Sequence, residues 1–153
     1  MKGYTENSVI IFRNIDEVFD ITNKIEIWPD LFTEYEKTEV IEKKDNYIKF
    51  RLTTYANEEG KVKSWVSERK LDKKNYQVFA KRLEPLYPFS TMEIKWIYEP
   101  LPQNIGVNMV WIQEFEVDEN SPFDVYNMES YLNKSSRTQM KAVKLAVEEI
   151  LSK

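Results

Sequence analysis

Residues 92–98 alternate in character: Met92, Ile94, Trp96 and Tyr98 share one face, while Glu93 and Lys95 share the other with Thr91. A period of two marks a strand with one buried face. The same alternation runs through residues 107–117, where Val107, Met109, Trp111, Gln113, Phe115 and Val117 oppose Asn108, Glu114 and Glu116. It recurs in residues 47–55, where Ile48, Phe50, Leu52 and Thr54 oppose Lys49 and Arg51. Turn-forming clusters at 45–46, 57–60, 72–75 and 100–106 separate these segments. The spacing predicts six strands in an antiparallel meander over residues 35–117.

Helical periods flank this region. A first strand is expected over 8–12. Asn14 then reads as an N-cap, with Asp16 and Glu17 in the first turn and Glu17 at the capping-box position. Ile15, Val18, Phe19 and Thr22 follow at helical spacing, and the helix is expected to end near Asn23. A second short helix is expected over 26–32, with Pro29 near its start. Over 124–151, Val125, Met128, Leu132, Ser136, Gln139, Val143, Val147 and Ile150 recur every three or four residues. A helix of about 27 residues is about 40 Å long. One such helix cannot cover a flat sheet of this size. The expected fold is therefore α+β: a curved antiparallel sheet of about seven strands wrapped around a long C-terminal helix, with a hollow between them.

One strand breaks the pattern. In residues 62–71, Trp65, Ser67, Arg69 and Leu71 share a face against Val62, Ser64, Val66, Glu68 and Lys70. If Trp65 points inward, so do Ser67 and Arg69. A buried guanidinium is costly unless it meets acceptors or water. Inward Gln113 and Gln139 pose the same problem. Two arrangements accommodate them. In one, a solvated cavity walled by Met92, Trp96 and Trp111 holds a few polar groups, the general form of a small-molecule site. In the other, Arg69 reaches water from a strand end and Gln113 is satisfied by a neighbour.

Composition narrows the chemistry. The 153 residues (18.4 kDa) suit a single domain over 1–153. With 26 acidic and 22 basic residues the net charge is −4, which argues against a nucleic-acid partner. The chain has no Cys and no His, so thiolate nucleophiles, imidazole bases and Cys- or His-ligated metals are excluded. Its three glycines are too scattered for a phosphate-binding loop. Chemistry must come from Arg, Tyr, Ser, Thr, carboxylates, amides, the backbone or water. Residues 1–7 lack the apolar stretch of a signal peptide, and no run reaches the roughly 18 apolar residues of a membrane span. A cytoplasmic location without a membrane partner is the expectation.

Several segments together resemble the aromatase/cyclases of bacterial type II (aromatic) polyketide synthesis, within the helix-grip superfamily that includes START domains. They are Asp20-Ile21-Thr22-Asn23, Ile27-Trp28-Pro29-Asp30-Leu31-Phe32-Thr33-Glu34-Tyr35, Phe50-Arg51-Leu52, the run from Gly60 to Arg69, and Trp111-Ile112-Gln113-Glu114-Phe115. The segment from Leu132 to Met140 matches less strongly. The resemblance implies a helix-grip fold whose deep pocket holds a poly-β-ketone on an acyl carrier protein. It implies regiospecific intramolecular aldol cyclisation, then dehydration and aromatisation of the first ring, with no metal or redox cofactor. By resemblance, Arg69 and Tyr35 are the catalytic polar groups, Ser67 lies beside them, and Trp28, Phe32 and Trp65 shape the wall. Gln139 stands where such proteins carry a polar residue, often Asn, on the last helix. Gln113 aligns with a His that some members use. Acyl carrier proteins are acidic, so Lys or Arg is expected near the cavity mouth. The alternative function is non-catalytic binding or transport of a hydrophobic or aromatic small molecule or a lipid. A domain with a filled interior is the third reading, and it requires that no cavity of about 300 Å³ be present.

Overall fold

The computed structural model describes residues 2–153. Among them, seven strands form one antiparallel sheet: β1 (Lys2–Ile11), β2 (Tyr35–Lys44), β3 (Tyr47–Thr54), β4 (Ser64–Asp72), β5 (Gln77–Arg82), β6 (Phe89–Pro100) and β7 (Val107–Val117). Their spatial order is β1-β7-β6-β5-β4-β3-β2. The last six are the predicted meander; four of its five hairpins turn at the predicted polar clusters, and the β5–β6 connection, residues 83–88, is a turn the sequence reading did not mark. β1 closes the sheet by pairing with β7, from Lys2 opposite Glu116 to Ile11 opposite Val107.

β1 starts well before the expected 8–12. Its early residues are polar or small, yet Gly3, Thr5 and Asn7 are the buried positions. Polar inward residues hid this part of the strand from a hydrophobic reading. Gly3 is required by a close approach: a Cβ there would lie 2.2 Å from Cζ of Phe115, whose ring covers it.

The helices sit where their caps predict. α1 (Ile15–Thr22) is capped by Asn14, whose side chain accepts from the Asp16 amide at 2.8 Å, without the reciprocal box expected with Glu17. The stretch expected to form one short helix is a 3-10 turn (Ile25–Ile27) followed by α2 (Trp28–Leu31). α3 (Val125–Leu151) begins at a capping box between Asp124 and Asn127. Its buried face is Met128, Leu132, Ser136, Gln139, Met140, Val143 and Val147. Ile150, expected on that face, is 38% exposed; at this end Val147 and the neighbouring Leu151 pack against the core instead.

Irregular register bends the sheet around α3. Shifts fall between Tyr35 and Lys37 and between Val40 and Glu42 on β2, and between Phe89 and Thr91 on β6. An extra residue on one strand sharpens bend and twist. Side-chain hydrogen bonds then tie the β1 edge to α3. Asn7 donates to Asn133 and accepts from Arg137, and Lys144 donates to the Ile10 carbonyl at 2.7 Å.

The core is unevenly filled along α3. Met140, Val143 and Val147, in its C-terminal half, join a large cluster with Ile11, Val18 and Phe19. Met128 and Leu132, nearer its start, belong to a smaller cluster with Phe89, Met92 and Phe115. Beside that first half the interior is open.

Candidate functional site

A cavity of about 1030 Å³ lies between the sheet and the first half of α3, whose lining residues run from Asn127 to Gln139. The filled-interior reading is therefore excluded. One end is a stack of rings. Trp96 and Trp111 are nearly parallel, 5.0 Å between centroids and 11° apart, and Phe32 lies against Trp111 at 5.8 Å. Trp28 stacks on Trp96 at 5.9 Å and on Tyr35 at 5.9 Å. Strand alternation supplies Trp65, Trp96 and Trp111, α2 supplies Trp28, and Phe32 follows directly as its C-cap.

Arg69 lies at the heart of this wall and is 2% exposed. It sits within β4 and points inward beside Trp65 and Ser67, so the strand-end reading fails. Its guanidinium carbon lies 4.1 Å from the Trp96 ring centre and 5.0 Å from that of Trp28. A cation over desolvated ring faces is attracted by their quadrupoles. Nη2 donates to Oδ1 of Asn23 at 3.0 Å. Asn23 in turn donates from Nδ2 to the Phe19 carbonyl at 2.8 Å and to the Tyr98 hydroxyl at 3.1 Å. The Tyr98 and Thr22 hydroxyls share a 2.7 Å bond. Burial pushes Arg69 down to about 10, opposed by the Tyr98 and Tyr35 phenols, so it stays cationic at neutral pH. Burial likewise pushes Tyr98 up to about 12.

Among the described residues, two buried donors lack a protein acceptor: Nε of Arg69 and Nε1 of Trp111. Both residues line the cavity. Such an orphaned group costs about 1–3 kcal/mol.

Tyr35, at the start of β2, is 8% exposed and lines the cavity. Burial drives its phenol well above the ordinary tyrosine value; the Glu34 carboxylate adds to this, and the Arg82 and Arg69 cations oppose it. Ser67 is buried two residues from Arg69 on the same face, and it too lines the cavity.

The remaining expectations divide. Trp28, Phe32, Trp65, Trp96, Trp111, Gln113 and Gln139 line the cavity. Met92 does not: it is 1% exposed and packed among Phe89, Phe115, Met128 and Leu132. It shares a face with Trp96 but lies nearer the end where the small cluster fills the interior. Gln139 lines the cavity with its amide already engaged. Its Oε1 accepts from the Thr33 amide at 2.9 Å, and its Nε2 donates to the Thr33 hydroxyl at 2.8 Å. The Gln113 carbonyl accepts from Thr5 at 2.9 Å and from Ser136 at 3.1 Å, as the neighbour-satisfied reading required of that oxygen.

Three groups of the site escaped the sequence reading: Arg82 and Glu34, which line the cavity, and Asn23, which holds Arg69 from behind the wall. Asn23, at the end of α1, has no periodic signal, although it closes the Asp20-Ile21-Thr22-Asn23 segment. Arg82 is turned inward by the alternation Val78, Ala80, Arg82 on β5, a signal open to the same reasoning as Arg69. Its guanidinium lies 4.7 Å from the Trp65 ring centre and 5.7 Å from that of Phe89. Glu34 is the half-buried carboxylate beside Tyr35; burial raises it above the ordinary value, opposed by Tyr35, Arg82 and Lys63.

The mouth is aromatic and basic. Tyr55, Tyr87, Phe123 and Tyr131 line it and are each at least half exposed. Lys61 and Lys63 lie at the same rim, Lys61 within 3.5 Å of an equally exposed Glu59. No helix among the described residues is long and apolar enough to cross a membrane.

Residues 13–144 match the family described as polyketide cyclase/dehydrase and lipid transport. A provisionally named polyketide cyclase of Streptomyces cyaneus is 41% identical over 150 residues, covering 98% of this chain and 97% of that protein. In structure the chain is similar to the Zhui aromatase/cyclase of Streptomyces sp. R1128, with a TM-score of 0.86 at 18% identity over 99% of this chain and 96% of that one. It is similar also to a START superfamily protein of Mycobacterium smegmatis, with a TM-score of 0.80 at 14% identity over 96% and 98% of the two chains. The curved sheet gripping α3 is the architecture these structures share. From the matched span and the near full-length relative together, the chain belongs to the polyketide cyclase/dehydrase and lipid transport family.

Proposed function

We propose that this chain acts as one domain, as an aromatase/cyclase that folds a carrier-protein-bound poly-β-ketone inside the cavity and promotes its regiospecific aldol cyclisation, followed by dehydration and aromatisation. The observation that carries this reading is the Asn23-held guanidinium of Arg69, buried yet facing a large cavity with Tyr35 on the same wall.

The chemistry needs an enolate, a polarised ketone and a bent chain. A methylene between two carbonyls is already acidic, so modest stabilisation suffices. Arg69 holds the enolate or ketone oxygen in a site from which water is largely excluded. There a positioned donor accelerates reaction by about 100- to 1000-fold. The orphaned Nε of Arg69 and Nε1 of Trp111 are donors that a ligand oxygen would satisfy. Tyr35 is held as a neutral phenol by burial, and so acts as a proton donor to the developing alkoxide. Ser67 positions a water or a substrate oxygen. The stacked indoles favour one folded conformer of a flexible chain, and this proximity supplies much of the rate. No residue role here requires a metal or redox cofactor.

Product formation takes place on a tethered chain, so the mouth must admit a phosphopantetheine arm. The exposed aromatics and Lys61 and Lys63 suit contact with an acidic carrier protein at that rim.

The test is reconstitution with a minimal polyketide synthase, its carrier protein and each plausible chain length. Adding the protein should redirect the products toward one first-ring regiochemistry. An unchanged product distribution, with ligand still bound, would make the protein a carrier of hydrophobic molecules instead.

A further inference from the structure

Within the cavity wall the charges are unequal. Lys61, Lys63, Arg69 and Arg82 are cationic, and Glu34 is the one carboxylate among the described lining residues. The wall thus carries a positive excess inside a chain whose net charge is −4. Such a wall suits an enolate, but a cation cannot take the proton that creates one. The neutral amides and hydroxyls are far too weakly basic, and Tyr35 is held well away from phenolate.

Glu34 is also fixed in place. It joins α2 to β2, and its backbone carbonyl accepts from the Tyr55 amide at 3.1 Å. The preceding Thr33 is clamped to α3 by both ends of the Gln139 amide. The segment is therefore tied on one side to the end of β3 and on the other to the long helix. Tyr35 follows directly, and its phenol senses both the Glu34 carboxylate and the Arg69 guanidinium.

We infer that Glu34 is the general base of this cavity, removing the methylene proton of the bound β-ketone while Arg69 holds the resulting enolate. This rests on the cyclase reading above. The charged and titratable groups that face Glu34 are Tyr35 on β2, Arg82 on β5 and Lys63 before β4; Arg82 is in turn influenced by Tyr131 on α3. Desolvation raises the Glu34 carboxyl above its ordinary value, which makes its carboxylate a stronger base than an exposed one.

The step balances without any outside reagent. The carboxylate takes a proton from the methylene carbon, and the C–H electron pair becomes the enolate. The enolate carbon forms a bond to the distant ketone carbon, whose π pair moves to oxygen. Tyr35 gives its proton to that alkoxide and recovers one from the Glu34 carboxylic acid. A second removal of the adjacent carbon-bound proton by Glu34 expels the new hydroxyl, which leaves as water once protonated by the same pair.

The experiment separates proton removal from cyclisation. The probe is acetoacetyl-pantetheine in deuterium oxide, its methylene exchange followed by NMR, alongside the product assay. Wild type should accelerate exchange above buffer with an acid limb in the pH–rate profile. Glu34→Gln should lose exchange and cyclisation by at least about 100-fold and lose that limb. It should keep its melting transition and its quenching of tryptophan fluorescence by the probe. Glu34→Asp, which shortens the reach of the base, should retain a fraction of the exchange. If wild type accelerates exchange and Glu34→Gln matches it with the limb intact, another group or water is the base and the cyclase reading stands. If wild type accelerates neither exchange nor cyclisation, the cyclase reading and this inference fall together.

Discussion

Arg69 and Asn23 meet through a single 3.0 Å hydrogen bond that joins the middle of β4 to the end of α1. Asn23 also holds the Tyr98 hydroxyl and the Phe19 carbonyl, so one amide orients the cation of the cavity.

Asn23→Ala should weaken both stability and cyclisation. It removes the acceptor of Arg69 Nη2 and a donor to Tyr98, leaving buried polar groups unpaired at about 2 kcal/mol. Urea unfolding should give that loss, and the product assay should show a larger proportional fall in turnover than in ligand binding. Undiminished turnover would remove Asn23 from any positioning role.

Arg69→Met should separate function from folding. A side chain of similar length fills the space beside Trp96 while removing a buried charge, so stability should change by less than about 2 kcal/mol. Cyclisation should fall at least about 100-fold. Parallel losses in both assays would assign Arg69 to structure alone.

Gln139 is expected to act as a clamp and not as a reactive amide. Gln139→Leu frees Thr33 and should cost about 1 kcal/mol, read as a drop in thermal midpoint. Gln139→Glu should restore most of it, because a carboxylate still accepts from the Thr33 amide and hydroxyl. If only the amide supports turnover, Gln139 takes part in the chemistry.

Reversing both rim lysines, Lys61→Glu with Lys63→Glu, should raise KM for a carrier-bound substrate by about tenfold at low salt. The gap should narrow as ionic strength rises. Binding of a free aromatic ligand should be untouched. Equal effects on tethered and free ligands would place these lysines at the ligand and not at the carrier.

Glu34→Gln should also alter the pH dependence of stability. Folding raises the carboxyl of Glu34, so its favourable contribution is complete below the ordinary carboxylate value and is lost as pH rises through the raised one. Glutamine does not titrate. The variant should therefore match wild type near pH 4 and exceed it near pH 7, with thermal melts at each pH as the measurement. A gap of opposite sign would mean that Arg82 and Lys63 outweigh desolvation.

Periodicity made much of this fold legible. Alternation placed Trp65, Ser67 and Arg69 inside together, and the three- and four-residue repeat of α3 placed Gln139 toward the sheet. The family resemblance picked out Tyr35, which lies at a strand start where alternation has no leverage. Asn23 and Glu34 escaped for a related reason: both sit at the ends of elements, where neither period applies and only the folded chain brings partners near. Gln139 shows the other limit. Its side of the helix was readable, but its partner Thr33 lies 106 residues away, so a clamp could not be told from a reactive group. Met92 shows that sharing a strand face does not mean reaching the hollow, because the sheet's curvature brings a second small cluster over that position.

The uneven filling along α3 divides labour within one helix. Val143 and Val147 knit the far end into the largest cluster, while Tyr131, Ser135 and their neighbours look onto open space. Substitution at Tyr131 or Ser135 changes what fits while leaving Val143 and Val147 packed. A scaffold so partitioned lets descendants diverge in ligand preference while their architecture stays recognisable, which is the condition under which a fold outlasts its sequence.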